Sequence, residues 1–284
     1  MISLLKKLTA LAFIFIFPLP TCRFSCRRQP SPPPTNSETR LSFYPHSGEF
    51  TAAERAPDGA WVVSDLPQTA IAPDKKYIAF TFDDAPSANF ESLIATFAAF
   101  NAENPDCPAS ATLFINGNRV SQGATPALSL ADTVGLELGN HTYHHYDLTT
   151  LSSQEIEQEI QSVDKILQRI DDKPYHLLRA PFGKTNESVE KLSPTPIINW
   201  TIDTLDWTGV SADEIYQSVF SEKTDGSIIL MHDGYPNTLT AVKRLLPDLK
   251  KAGYQVLSVS ALSKANRCPL QRGKVYIRAR KQQK

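Results

Sequence analysis

Between about Leu41 and Leu262, short apolar runs alternate with stretches of helical period, and this alternation limits the folds open to the chain. The runs are Lys76–Phe82, Ala111–Ile115, Val134–Leu138, His176–Arg179, Ile197–Thr201, Ser227–Met231 and Gln255–Val259. Between them, Ser152-Ser-Gln-Glu155 has capping-box spacing and precedes Ile156, Ile160, Val163, Leu167 and Ile170, an amphipathic stripe. Ser211-Ala-Asp-Glu214 opens a second helix carrying Ile215 and Val219, and Leu239 to Lys251 reads as a third, ended by Gly253. These stripes read as core-facing. Strand-like runs separated by helices indicate βα units around a parallel sheet. About seven strands in roughly 220 residues suit an α/β fold of the (β/α) barrel kind, complete or incomplete, better than a small doubly wound sheet. No internal repeat is visible.

The polar residues fall where such a fold builds a site. Asp83-Asp84, His141 to His145, Arg179, Asp203 with Asp206, and His232 all lie at or just past the C-terminal ends of expected strands. Asp84, His141 and His145 offer one oxygen and two imidazole ligands for a divalent metal. Three protein ligands leave a coordination position open, as a catalytic metal requires. Asp83, a second carboxylate beside them, is placed to act as general base in a hydrolysis. His46 and His176 read as surface or core residues, and His144 projects away from the ligand pair.

The ends of the chain read differently. Lys6-Lys7, the apolar stretch Leu8 to Phe17 and the break at Pro18 and Pro20 make residues 1–22 a secretory signal, too short for an ordinary spanning helix. Leu19-Pro-Thr-Cys22 loosely resembles a lipobox, so membrane attachment through a lipidated Cys22 stands beside simple cleavage. Residues 23–40 form a Pro/Ser-rich linker, a semi-rigid spacer. An exported protein of the periplasm or cell envelope is expected. From Lys264 to Lys284 there are eight Lys or Arg and no Asp or Glu, so residues 266–284 read as a basic, solvated tail following a domain of 41–265. The sharper alternative for that tail is contact with an anionic polymer. A net charge of -1 gives no argument for nucleic acid. Cys107 and Cys268 read as separate residues, although export would permit pairing.

Thr81-Phe-Asp-Asp-Ala-Pro86 and His141-Thr-Tyr-His-His145 resemble the first two motifs of the polysaccharide deacetylases with a NodB-homology domain (carbohydrate esterase family 4). Arg179-Ala-Pro-Phe-Gly183, Asp203-Thr-Leu-Asp-Trp207 and Leu230-Met-His232 resemble the third, fourth and fifth, in the expected order, over about residues 74 to 262. The resemblance implies a distorted (β/α) barrel that removes N-acetyl or O-acetyl groups from glycans. It implies that Asp84, His141 and His145 bind the metal, zinc first, with cobalt or nickel also accepted. Asp83 would be the base and His232 the acid that protonates the leaving amine. Arg179 would hold Asp83, Asp206 would tune and orient His232, and Trp207 would pack beside that acid. The Phe182 N–H would assist the metal at the oxyanion. Ala85 stands where the family usually has Gly, which would restrict the turn, and Phe182 where Tyr is common. No ionisable motif residue is missing, so an active enzyme is expected. Peptidoglycan is the leading substrate, followed by chitin-type oligosaccharides and O-acetylated xylan. A non-catalytic glycan-binding envelope protein is the alternative, and a metal-storage lipoprotein a weaker one.

Overall fold

The structure, a computed structural model, describes residues 70–280. The expected signal at 1–22, the candidate Cys22 lipidation, the linker at 23–40, His46 and the domain start at Leu41 lie outside the described residues. In chain order the elements are β1 (Lys76–Ala85), α1 (Phe90–Glu103), β2 (Ala111–Ile115), α2 (Thr125–Val134), β3 (Glu137–Asn140) and α3 (Ser153–Asp171). They continue with α4 (Glu187–Leu192), β4 (Ile197–Ile198), β5 (Ile202–Asp203), α5 (Ala212–Glu222) and β6 (Ile228–His232). The chain then forms α6 (Pro236–Lys251), β7 (Tyr254–Leu257), α7 (Val259–Ala265) and β8 (Val275–Tyr276).

The main sheet runs in the order β3-β2-β1-β6-β5, with β7 pairing the first half of β1, and every ladder is parallel. β1 is central because nearly all its residues are buried, the continuous apolar pattern of a strand covered on both faces. Single parallel bridges from Leu178 to Asn140 and to Ile197 carry the curve on toward β4 and β8. Regular ladders do not close the circle: the fold is an α/β barrel distorted and open. Its main core joins Phe80, Phe82, Leu113, Ile115 and Met231 of the sheet to Leu93, Phe97, Val163 and Leu245 of the helices. Each such fully buried side chain contributes roughly 1.5–3 kcal/mol.

The helices begin where their caps indicate. Ser152 and Ser211 form full capping boxes with Glu155 and Glu214. α6 starts three residues before Leu239, at Pro236, whose fixed φ suits a first helical position. Several strands differ from expectation. Val134 ends α2, and Gly135 at φ 91 caps that helix, so β3 begins only at Glu137. Among the described residues the His176–Arg179 run makes only the Leu178 bridges, and the side chain of Arg179 donates to the neighbouring carbonyls of Ile198 and Asn199.

The basic tail expected from residue 266 is corrected by the structure. β8 pairs with β4, Arg278 bridges to Ser227, and Leu270 and Ala279 are buried. The segment is folded through Arg280 because its few apolar residues complete the core around Ile198 and Leu257. Its charges sit on the outside, so a charge count hid a structural strand. Cys107 and Cys268 are unpaired.

Candidate active site

β1 delivers both aspartates, and its end is irregular. The β1–β2 register shifts between Phe82 and Ala85, and Asp84 adopts φ 62. Successive residues of a regular strand point to opposite faces. The left-handed turn at Asp84 breaks that alternation, and both carboxylates reach one imidazole. His141 Nε2 lies 3.6 Å from Asp83 Oδ2 and 4.0 Å from Asp84 Oδ1. Ala85, where restriction was expected, has no positive φ; the strain sits one residue earlier. Thr142, His145, Phe182 and Leu205 also adopt positive φ, so, counting Asp84, five of the eight non-glycine residues with positive φ among the described residues belong to this rim. Each costs about 1–3 kcal/mol, and such strain clusters at functional sites.

Asp84, His141 and His145 offer ligand atoms within 4.8 Å of one another. His145 Nε2 is 3.7 Å from Asp84 Oδ1. His141 is buried, and its Nδ1 lies 2.8 Å from the Arg179 carbonyl. A carbonyl only accepts, so Nδ1 carries a proton and Nε2 is the ring atom turned toward the aspartates. Burial, and then the neighbouring His141, lowers the His145 pKa and favours the neutral ring a ligand needs. These residues fit a divalent metal. His144 faces elsewhere: its N–H and Nδ1 both bond Glu159 of α3, at 2.7 and 2.6 Å.

Asp83 differs from its neighbour. Arg179 is fully buried, and its Nη1 donates to Asp83 Oδ1 at 2.7 Å and to Thr81 Oγ1 at 2.7 Å. Its Nε and Nη2 donate to the Ile198 and Asn199 carbonyls, at 2.9 and 3.3 Å, and its guanidinium lies over the Phe114 ring. Burial is the largest influence on Asp83 and opposes ionisation. The charges of Arg179, His141 and His232, with the Arg179 hydrogen bond, outweigh it and hold the pKa below its ordinary value.

His232 ends β6 in register with Asp83 on β1. Its Nδ1 donates to Asp206 Oδ1 at 2.8 Å, and its N–H donates to Asp206 Oδ2 at 2.7 Å. Thr238 Oγ1 donates to the same Oδ2 at 2.6 Å. Burial lowers the His232 pKa, but the Asp206 hydrogen bond and the Asp83 and Asp206 charges prevail and raise it. Asp203 is the turn-former of this corner, its Oδ1 accepting the Leu205 N–H at 2.9 Å.

Phe182, 61% exposed, sets its ring edge-on to His145 at 4.8 Å. Its N–H makes no hydrogen bond among the described residues. Trp207 is exposed, and the ring set edge-on to His232 is that of Tyr235, at 5.9 Å. Sequence reasoning did not single out Tyr235, Thr238 or Arg119. Thr81 stood inside a quoted motif without a role. Thr238 bonds a residue 32 positions away, and no local pattern signals that contact.

A family profile described as Polysaccharide deacetylase matches residues 70–194. The peptidoglycan-N-acetylglucosamine deacetylase of Bacillus cereus is 30% identical over 198 residues, 66% of this chain and 89% of that protein. The chain belongs to the polysaccharide deacetylase family. The peptidoglycan-N-acetylglucosamine deacetylase PgdA of Listeria monocytogenes is 32% identical over 216 residues, 75% of this chain. The chain spans only 43% of the length of that relative. The solved structure of the peptidoglycan deacetylase PdaC from Bacillus subtilis superposes with a TM-score of 0.63 at 29% identity, covering 69% of this chain and 94% of that one.

Proposed function

We propose that this family member is a metal-dependent glycan N-deacetylase of the cell envelope, acting first on peptidoglycan. One observation carries the reading: Asp83 and His232 stand in register at the edge of the ligand set with opposite electrostatic surroundings. Amide hydrolysis needs one group that takes a proton from water and another that gives one to the amine. Asp83, held ionised by Arg179, suits the first task. His232, whose proton affinity is raised by Asp206, suits the second, because its Nδ1 is engaged and its Nε2 is left to hold and give the proton. A divalent ion on Asp84, His141 and His145 would polarise the acetyl carbonyl and acidify the attacking water. Zinc suits two imidazoles and a carboxylate, and cobalt or nickel can occupy the same donors. The Phe182 N–H faces no competing acceptor and is available to the developing oxyanion. The names of the relatives support peptidoglycan amino sugars as the substrate class. A protein that only bound glycan would need no such acid and base.

The test is acetate release from peptidoglycan, N-acetylglucosamine oligomers and acetylated xylan by zinc- or cobalt-loaded protein. Asp83→Asn is expected to keep metal and glycan binding and to lose activity by about 10²–10⁴-fold, the usual weight of a general base. Metal-loaded wild type that releases no acetate from any of the three would leave glycan binding as the better account.

A further inference from the structure

The two oxygens of Asp84 have different partners. Oδ1 faces the imidazoles of His141 and His145, at 4.0 and 3.7 Å. Oδ2 faces Arg119 Nη2, at 3.7 Å. Arg119 sits in the short turn Gly117–Arg119 that follows β2, outside all five motifs. This turn is fastened to both metal-binding segments. The Asn116 N–H donates to the Ala85 carbonyl at 2.8 Å, directly after Asp84. The Gly117 and Asn118 N–H groups donate to the Thr142 and Tyr143 carbonyls, at 3.0 and 2.9 Å, between the two histidines. Gly117 is required for that approach, because a Cβ there would lie 2.5 Å from Tyr143 Cδ2. The Arg119 N–H closes the turn onto the Asn116 carbonyl at 3.1 Å.

We infer that Arg119 is a positioning residue that occupies Asp84 Oδ2 and restricts this aspartate to one-oxygen metal ligation. The inference rests on the metal-site reading above. A free carboxylate beside a divalent ion readily turns both oxygens toward it, consuming a coordination position. A cation on Oδ2 opposes that rotation and withdraws charge from Oδ1. The position saved is available to water or to the acetyl oxygen. Arg119 thus weakens metal binding slightly in exchange for an open, more electrophilic site.

Cobalt binding separates the possibilities. Arg119 is half exposed, so Arg119→Gln is expected to fold as wild type does. Its cobalt affinity should rise by roughly two- to fivefold, the scale of one exposed ion pair. The visible cobalt absorption should weaken as the coordination number rises, and kcat should fall with KM nearly unchanged. Arg119→Lys, which keeps the charge, should restore most of the wild-type affinity and spectrum. Unchanged affinity and spectrum in Arg119→Gln, or a weaker affinity, overturns the inference while leaving the metal site standing. Wild-type protein that binds no cobalt overturns both.

Discussion

Asp83 and Asp84 share a side chain and adjoin in sequence, yet their surroundings divide them. Arg179 locks the first inside the barrel, whereas the second turns out at φ 62 toward the imidazoles. His232 completes the division, and its proton affinity depends on Asp206. The Asp206 hydrogen bond and charge raise the His232 pKa, so protonated His232 persists to higher pH than a free imidazole. In the proposed mechanism His232 is the acid and must be protonated to act, so the alkaline limb of the kcat profile should belong to this group. Asp206→Asn removes the charge while keeping the shape, and the alkaline limb should move to lower pH. A pH–rate series on both proteins checks this; coincident alkaline limbs would mean that another group sets the limb. The residue types and their order were legible from the sequence, because each motif is a few adjacent residues. Arg119, Thr238 and Tyr235 were not legible. The contacts of Arg119 with Asp84 and of Thr238 with Asp206 join distant parts of the chain and leave no local pattern, whereas Tyr235, three residues after His232, lies just outside the fifth motif.

Among the elements, α3 was the most legible, and its cap and apolar stripe stand as expected. Its hidden contribution is polar. Asp164 and Asp171 of α3 enclose buried His176, whose Nδ1 lies 3.0 Å from Asp164 Oδ1 and whose Nε2 lies 3.2 Å from Asp171 Oδ1. The same Asp164 oxygen accepts from Asn140 Nδ2 at 2.9 Å, so α3 also steadies the residue before His141. Burial alone would lower the His176 pKa, but hydrogen bonds to Asp164 and Asp171 push it up to about 9. A pKa raised on folding adds stability that is complete below the unfolded value and fades as pH rises through the folded one. The contribution, on the order of 3 kcal/mol, should therefore be lost between about pH 6.5 and about pH 9. Asp171, lowered to about 2, acts at the other end: its share should be lost as pH falls from 3.8 toward about 2. Urea midpoints across this range test both. In His176→Gln the loss on the alkaline side should disappear; a variant that keeps the wild-type slope would assign that slope to other groups.

At the scale of the molecule, the alternation of runs correctly implied an α/β barrel, and it failed where strands are shortest. β5 and β8 have two residues each, too few to show a period, and the expected run Ile197–Thr201 shrinks to the two residues of β4. β8 was concealed further by the basic residues around it. Its role predicts the effect of truncation. Ending the chain after Ala265 removes buried Leu270 and Ala279 and leaves β4 without its β8 partner. Stability should fall by at least about 2 kcal/mol, the burial of one large apolar side chain. Urea unfolding of the shortened chain measures this, and an unchanged midpoint would return the segment to the status of a tail.

The sequence by itself determined the parallel α/β architecture, the three helices α3, α5 and α6 and the ordered motif residues. Each of these is written in local spacing, as a period, a cap or a short string. Only the tertiary structure decided how β1 bends at Asp84, which Asp84 oxygen faces the histidines, that Thr238 also bonds Asp206, and that the C-terminal basic stretch carries a strand. Those outcomes depend on hydrogen bonds and charges between residues far apart in the chain. Folding creates such neighbours, and no window along the sequence contains both partners.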